Sequence, residues 1–329
     1  MNDRAVSLLE QYDVEIQRTR KGRGAILCET PIGILSFREY SGSEERLETQ
    51  NKLLSHLQET SNIQVERMIP CKSGDLSVKD MDGTMYVLRT FMEGRECNIA
   101  DWSECMESAG LLARLHLAME VDLQAFAPEV HAASYSGVYD KYNRELKRVR
   151  KYLKQRSQKT WFEIRLLQVY DEFLEEAESV SGKWEAYEQI CRKWSPEQKI
   201  IFAHGDYQYH NLIRTDRGFF VMGFDKCVPG DPVRDIYLLF RKLLEKNNWN
   251  IELGRALLAA YEERRGLSAF ERIDLYYRLS YPEKFRKIVN FYYNSGKSWI
   301  PGRNLEKLEK VIEQEPLKRR LLEELFCTL

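Results

Sequence analysis

The sequence predicts an α+β fold in two parts: a strand-rich segment over residues 1–95 holding one helix, and a mostly helical segment over 96–329. Three observations predict it. Short apolar or alternating runs, punctuated by Gly22, Gly24, Gly33, Asp75 and Asp82-Gly83, fill the first third. One stretch among them, 43–57, carries Leu47, Leu54 and Leu57 at helical spacing with Asn51 between. From about residue 101 onward, apolar residues recur three and four positions apart.

In order, strands are expected at 14–17, 25–29, 34–40, 64–69, 76–79 and 85–91, with the helix interrupting them after Ser43. That helix start is a soft one, because the third position after Ser43 is Arg46 rather than the Glu or Gln of a capping box. Glu93-Gly94 marks the crossover. Ala109, Leu112, Ala113 and His116 then share one helical face. Helices are expected at 137–157, 161–179 and 183–194 and again over 233–329. Two short strands, 199–202 and 219–222, flank the segment 204–211, with a turn at Thr215-Asp216-Arg217-Gly218. No repeat, low-complexity stretch or long Pro/Gly/Ser linker divides the chain, so the two parts are expected to pack as one unit.

Bulk properties narrow the function. With 50 Lys+Arg against 51 Asp+Glu, the formal net charge of −1 argues against dispersed electrostatic binding to nucleic acid or anionic membrane. No run approaches the ~18 apolar residues of a membrane span, and Met1-Asn2-Asp3-Arg4 lacks a signal peptide's layout. Seven cysteines, an odd number with no Cys-x-x-Cys, read as reduced cytosolic thiols.

The chemistry concentrates in His204-Gly205-Asp206-Tyr207-Gln208-Tyr209-His210-Asn211. An Asp with an Asn five positions on is what phosphoryl transfer uses: a carboxylate to orient and deprotonate a hydroxyl, and an amide oxygen to hold a divalent metal on phosphates. About a dozen residues later the chain reads Val221-Met222-Gly223-Phe224-Asp225, then Gly230-Asp231-Pro232-x2-Asp235.

His-Gly-Asp-x4-Asn, a hydrophobic strand and Gly-Asp-Pro-x2-Asp resemble the aminoglycoside phosphotransferase and choline kinase superfamily. Leu112-Ala113-Arg114-Leu115-His116 resembles its Leu-Ala-x-Leu-His helix. Tyr281-Pro282-Glu283-Lys284-Phe285, Tyr292-Tyr293-Asn294-Ser295 and Lys297-Ser298-Trp299 resemble the C-terminal region of CotS-type spore-coat-associated kinase-like proteins. Tyr86-Val87-Leu88 and Glu93-Gly94-Arg95-Glu96-Cys97 also fit that subgroup. The resemblance implies a bilobal protein-kinase-like fold with Asp206 as catalytic base and Asn211 as metal ligand. His204 is implied to brace the loop, although a neutral imidazole could also shuttle protons; His210 is left unassigned. Asp235 is implied to be a buried residue accepting loop N–H bonds, and Asp231 a turn residue before Pro232. ATP and Mg²⁺ are implied as cofactors if the protein is active, and none otherwise. The implied partners are spore coat proteins or a small-molecule hydroxyl acceptor. Synthesis in the mother-cell cytosol with a coat destination needs no secretion signal.

Two departures leave activity open. Gly223 stands where the superfamily places its metal-binding Asp. Asp225, two positions on, falls on the same face of an extended strand and could serve instead, or the site is metal-poor. Arg38 stands where the phosphate-holding Lys is expected, with Glu48 of the helix as its expected partner, and that swap is not neutral. Lys21-Gly22-Arg23-Gly24 is either a phosphate-covering loop or a plain tight turn. Nine Lys/Arg between 141 and 159, against only Glu145, are either a solvated face, neutralised by the acids of 171–178, or a surface for an acidic partner. The two function classes are an ATP-dependent phosphotransferase and a pseudokinase module of coat assembly.

Overall fold

A computed structural model describes residues 6–126, 137–192, 199–294 and 301–327. Two compact units emerge: residues 1–132 with 198–239, and 133–197 with 240–329.

The first unit is built on a six-stranded antiparallel sheet, ordered β1-β2-β3-β7-β5 with β6 also on β7. Its strands are β1 (Arg18–Gly22), β2 (Ala25–Thr30), β3 (Gly33–Tyr40), β5 (Met68–Ile69), β6 (Val78–Lys79) and β7 (Met85–Phe91). The first strand begins at Arg18; the expected strand at 14–17 is extended but unladdered apart from Gln17 N–H to Glu29 O. Lys21–Gly24 is the tight turn of the β1–β2 hairpin, with Gly22 opposite Ala25 and Gly24 at φ 66°. Alternation sends Ile26, Cys28, Leu35, Phe37, Tyr86 and Leu88 into one core with Leu9 and Tyr12. Helix α1 (Glu44–Thr60) is capped by Ser43, whose hydroxyl accepts from Arg46 N–H, and buries Leu47, Gln50, Leu53, Leu54 and Leu57.

The run 64–69, expected as one strand, splits at Glu66-Arg67. β4 (Gln64–Val65) leaves the main sheet and pairs parallel with β12 (Gly218–Val221). This second sheet, β4-β12-β11-β8, adds β11 (Leu212–Thr215) and β8 (Arg95–Glu96). A third, β13-β10-β9, joins Val228–Pro229, Lys199–Ala203 and Glu120–Asp122. Helix α2 (Trp102–Ala118) carries the expected apolar face, with Ala109, Leu112, Ala113 and His116 all fully buried. A one-turn α3 (Leu123–Phe126) follows.

The second unit contains α4 (Val138–Gln155) and α5 (Trp161–Arg192). α6 (Pro232–Lys246) begins in the first unit and continues in this one, followed by α7 (Ile251–Glu262), α8 (Ala269–Ser280), α9 (Glu283–Asn294) and α10 (Pro301–Leu325). Helices expected at 161–179 and 183–194 are one helix as far as Arg192; residues 193–194 lie outside the described residues. The Ser181-Gly182 pair does not break it, because the Ser181 hydroxyl donates to Glu178 O at 3.1 Å and accepts from Asn143 Nδ2 at 2.7 Å. Leu146, Val149, Leu153, Phe162, Leu166, Tyr170 and Phe173 pack with Tyr281, Phe285, Ile288 and Leu308 as its core. The Ser295 and Lys297–Trp299 positions lie outside the described residues. Of the cysteines described, five are buried free thiols and Cys327 is exposed. No described helix is long and apolar enough to cross a membrane.

Candidate functional site

Asp206, Asn211, Arg38, Glu48 and Asp225 all fall in the first unit. The loop 204–211 is fixed by Asp235, one turn into α6 and fully buried. Its carboxylate accepts from His204 N–H at 2.6 Å and Gly205 N–H at 2.8 Å, and His116 Nε2 lies 3.3 Å away. This is the loop brace the sequence implied. His204 is also structural: its Nδ1 accepts from Asp206 N–H at 3.2 Å, and Nε2 donates to Met222 O at 3.2 Å. Those partners fit the neutral Nε2–H tautomer. Asp231, at φ 63° before Pro232, accepts from Arg234 N–H.

Asp206 and Asn211 are brought together, with Asn211 Nδ2 donating to Asp206 O at 2.8 Å. The Asp206 carboxylate is not free. Lys226 Nζ lies 3.0 Å from its Oδ2, and Gln208 Nε2 donates to its Oδ1. Burial pushes this carboxyl up, but the Lys226 ammonium and the Gln208 bond outweigh burial and hold it below the ordinary aspartate range. Asp206 is therefore ionised at neutral pH.

Arg38 does not find Glu48. It pairs with Asp225 at 3.1 Å and Glu66 at 3.6 Å. Glu48 points outward from α1 and lines a surface depression with Glu44, Asn51 and Lys79; the inward helix position is Gln50, whose amide donates to Asp225 O at 3.1 Å. A second arginine, Arg89 of β7, completes the group. Arg89 and Glu66 are both fully inaccessible and lie 2.7 Å apart, and Arg89 Nη2 reaches Asp225 Oδ1 at 2.8 Å. Each oxygen of Asp225 thus faces an arginine. Glu66 Oε1 also accepts from Gly223 N–H at 3.0 Å and Phe224 N–H at 2.9 Å, tying the end of β12 to the cluster. Burial raises the Glu66 carboxyl, but Arg89, Arg38 and the Phe224 N–H prevail and hold it below its ordinary value.

Gly223 sits at φ 87°, ψ 39°, the left-handed region that favours glycine, and a Cβ there would lie 2.9 Å from Asn211 Nδ2. Among the described residues, no group of three or more His, Cys, Asp or Glu could hold a metal ion.

Glu66, Arg89 and Lys226 were not among the sequence candidates. A signal existed for two of them. Arg89 interrupts the apolar strand Tyr86-Val87-Leu88, and Glu66 interrupts 64–69. A charge on a strand with both faces buried needs a partner. Lys226 gave no such signal. Four of the nine cations at 141–159 pair with acids of their own unit: Arg150 and Lys154 lie 2.5 and 3.8 Å from Asp171, Lys147 pairs with Glu178, and Arg156 lies 3.1 Å from Glu163.

The phosphotransferase enzyme family matches residues 32–276. No curated protein matches the sequence. Among solved structures, an aminoglycoside phosphotransferase from Alicyclobacillus acidocaldarius subsp. acidocaldarius is 19% identical with a TM-score of 0.81, covering 97% of this chain and 94% of that one. A spectinomycin phosphotransferase bound to ADP and spectinomycin is 11% identical with a TM-score of 0.65, covering 97% of each chain. A microcompartment-associated aminopropanol kinase is 14% identical with a TM-score of 0.62, again covering 97% of each. At these identities the likeness is one of fold, and it is the α+β kinase-like fold.

Proposed function

The chain belongs to the phosphotransferase enzyme family, and from that premise we propose a kinase-fold protein with little or no phosphoryl transfer that serves in spore coat assembly. One observation carries the first half of this reading: the carboxylates that would meet Mg·ATP are already neutralised by the chain's own cations. Three acids, Asp206, Asp225 and Glu66, face three cations, Lys226, Arg38 and Arg89. Magnesium asks for an octahedron of hard oxygens, usually with one or two carboxylates. Gly223 offers none, and Asp225 must first leave two arginines. The donor set does not fit the ion. Arg38, which would hold phosphate, is engaged by the same acids. The coat role rests on the resemblance of Tyr281–Phe285 and the neighbouring motifs to CotS-type proteins. On that resemblance the partners are coat proteins, and the strand-rich part up to residue 95 and the helical part beyond it act as the two lobes of one scaffold.

The competing reading is an active ATP-dependent phosphotransferase acting on a hydroxyl of a small molecule or coat component. The observation in its favour is the loop itself: Asp206 is ionised, placed next to Asn211, and held by Asp235 and His204. There Asp206 would take the hydroxyl proton after releasing Lys226, and Asn211 and Asp225 would be the metal ligands.

Calorimetric titration of the full chain with ATP, with and without Mg²⁺, separates the two. The scaffold reading expects no Mg²⁺-dependent affinity, and no change on Asp225→Ala. Tight Mg·ATP binding with steady turnover on a hydroxyl acceptor overturns it.

A further inference from the structure

We propose that the second unit carries an anion site for a phosphate-class ligand, formed by Lys242 of α6 with Lys284 and Lys287 of α9, beside Arg241. The argument is a local excess of charge in a place that is only partly wet. Five cations, Arg241, Lys242, Lys284, Arg286 and Lys287, gather around two carboxylates, Glu245 and Glu283. Glu245 takes Arg241 at 2.6 Å and Lys284 at 3.8 Å. Glu283 takes Arg286 through two 2.8 Å bonds and Lys287 at 3.3 Å. Arg286 is further fixed over the Tyr142 ring at 3.7 Å. Among the described residues, no carboxylate pairs with Lys242. Nearby, Lys318 and Arg319 face Glu315, Glu176 and Glu172, and Glu145 of α4 accepts from Asn290 Nδ2. Against their own two carboxylates, the five cations leave three positive charges over.

That excess is costly because the group is half out of water. Burial, and then repulsion from Arg241, Lys287 and Lys284, pull the Lys242 ammonium down to about 8, with Glu245 opposing. Lys287 is lowered by burial first and then by repulsion from Arg241 and Arg286, with Glu283 opposing. A doubly charged oxyanion removes this cost. Its several acceptor oxygens can take three ammonium donors at once, each a charge-assisted bond. Access is open, since the Lys284 and Lys287 side chains are 45% and 48% exposed, while the two arginines stay clamped to their glutamates. Lysine ammoniums on flexible stems suit a phosphate as point charges. The segment Tyr281–Phe285, which the kinase reading leaves without a task, supplies Glu283 and Lys284. The ligand is either free inorganic phosphate or the phosphate of a small phosphorylated molecule, and the site is independent of the loop at 204–211.

The test is calorimetric titration of the full chain at pH 8 in a chloride background, in two buffers of different ionisation enthalpy. Inorganic phosphate and glycerol 3-phosphate are the probes. Wild type is expected to bind one probe saturably and to take up part of a proton on doing so, as Lys242 is driven back to its charged form. The tighter probe identifies the source. Lys242→Met is expected to weaken that binding by roughly tenfold, one charge-assisted contact, and to abolish the proton uptake. In chloride alone it should melt above wild type, because a repelled charge has gone. Lys151→Met, on the exposed face of α4, is the control and should behave as wild type. No saturable binding overturns the site. So does equal binding by wild type and Lys242→Met, including a salt-type stabilisation shared by both.

Discussion

Replacing Glu66 by Gln removes one charge and almost no volume, so its effect isolates the buried ion cluster. In the folded protein Glu66 is wholly inaccessible and holds four groups: Arg89 at 2.7 Å, Arg38 at 3.6 Å, and the N–H groups of Gly223 and Phe224. Taking one partner from a buried pair costs about 3–5 kcal/mol, because the other charge stays buried. Arg89, also wholly inaccessible, keeps only Asp225, and the new amide places an N–H against donors that need an acceptor. The assay is hydrogen exchange of the β3 and β7 amides, segments 33–40 and 85–91, which reads this unit separately from the helical one. If these amides exchange through opening of the unit, about 3–5 kcal/mol speeds them by roughly two to four powers of ten. Glu66→Gln/Arg89→Met should recover part of the loss, since removing both partners is less costly than breaking the pair. The pH dependence has a definite sign. A carboxyl held below its unfolded value gives stability that is present above that value, 4.5 here, and fades as pH falls through the folded one. The Gln variant should lack that acid-side fading. An increase in exchange below about tenfold would refute the claim that this cluster holds the unit together.

Two further outcomes follow from the geometry. Gly223→Asp should destabilise the first unit by about 1–2 kcal/mol, because a side chain must enter the left-handed region beside Asn211; urea unfolding reads that cost. If the lost carboxylate alone silences the site, calorimetry will show Mg²⁺-dependent ATP affinity that wild type lacks, and unchanged binding means the arginine lock on Asp225 also contributes. Reversing Lys147, Arg150 and Lys154 to Glu sets them against Asp171 and Glu178, so melting should fall modestly at low salt and recover at high salt. A pull-down at low salt that loses an acidic partner without any change in melting would favour the binding-surface reading of this helix instead.

The fold was legible because its signals are local. Alternation in 25–40 and 85–91 and the one-sided face of α2 are properties of neighbouring residues, and the sheet and helix appear where those patterns stand. Asp235 was legible for a similar reason: its task is to satisfy N–H groups of a loop whose sequence is itself distinctive. The partner of Arg38 was not. Choosing Glu48 assumed that the charge on the helix faces the strand, but the helical face that buries Leu47, Leu54 and Leu57 also buries Gln50 and leaves Glu48 in solvent. Which acid meets Arg38 depends on where β4 ends. The split at Glu66 comes from β4 leaving one sheet for another 156 residues away in sequence, a long-range event with no local mark. The same split delivers the glutamate to the Gly223 turn, where it binds the backbone of the residue that lacks the metal carboxylate. The departures at Arg38 and Gly223, read separately from sequence, are therefore one arrangement in the fold. An arginine at 38, a second at 89 and a glutamate at 66 make a charge-balanced group around Asp225, and the glycine lets the chain bend into it.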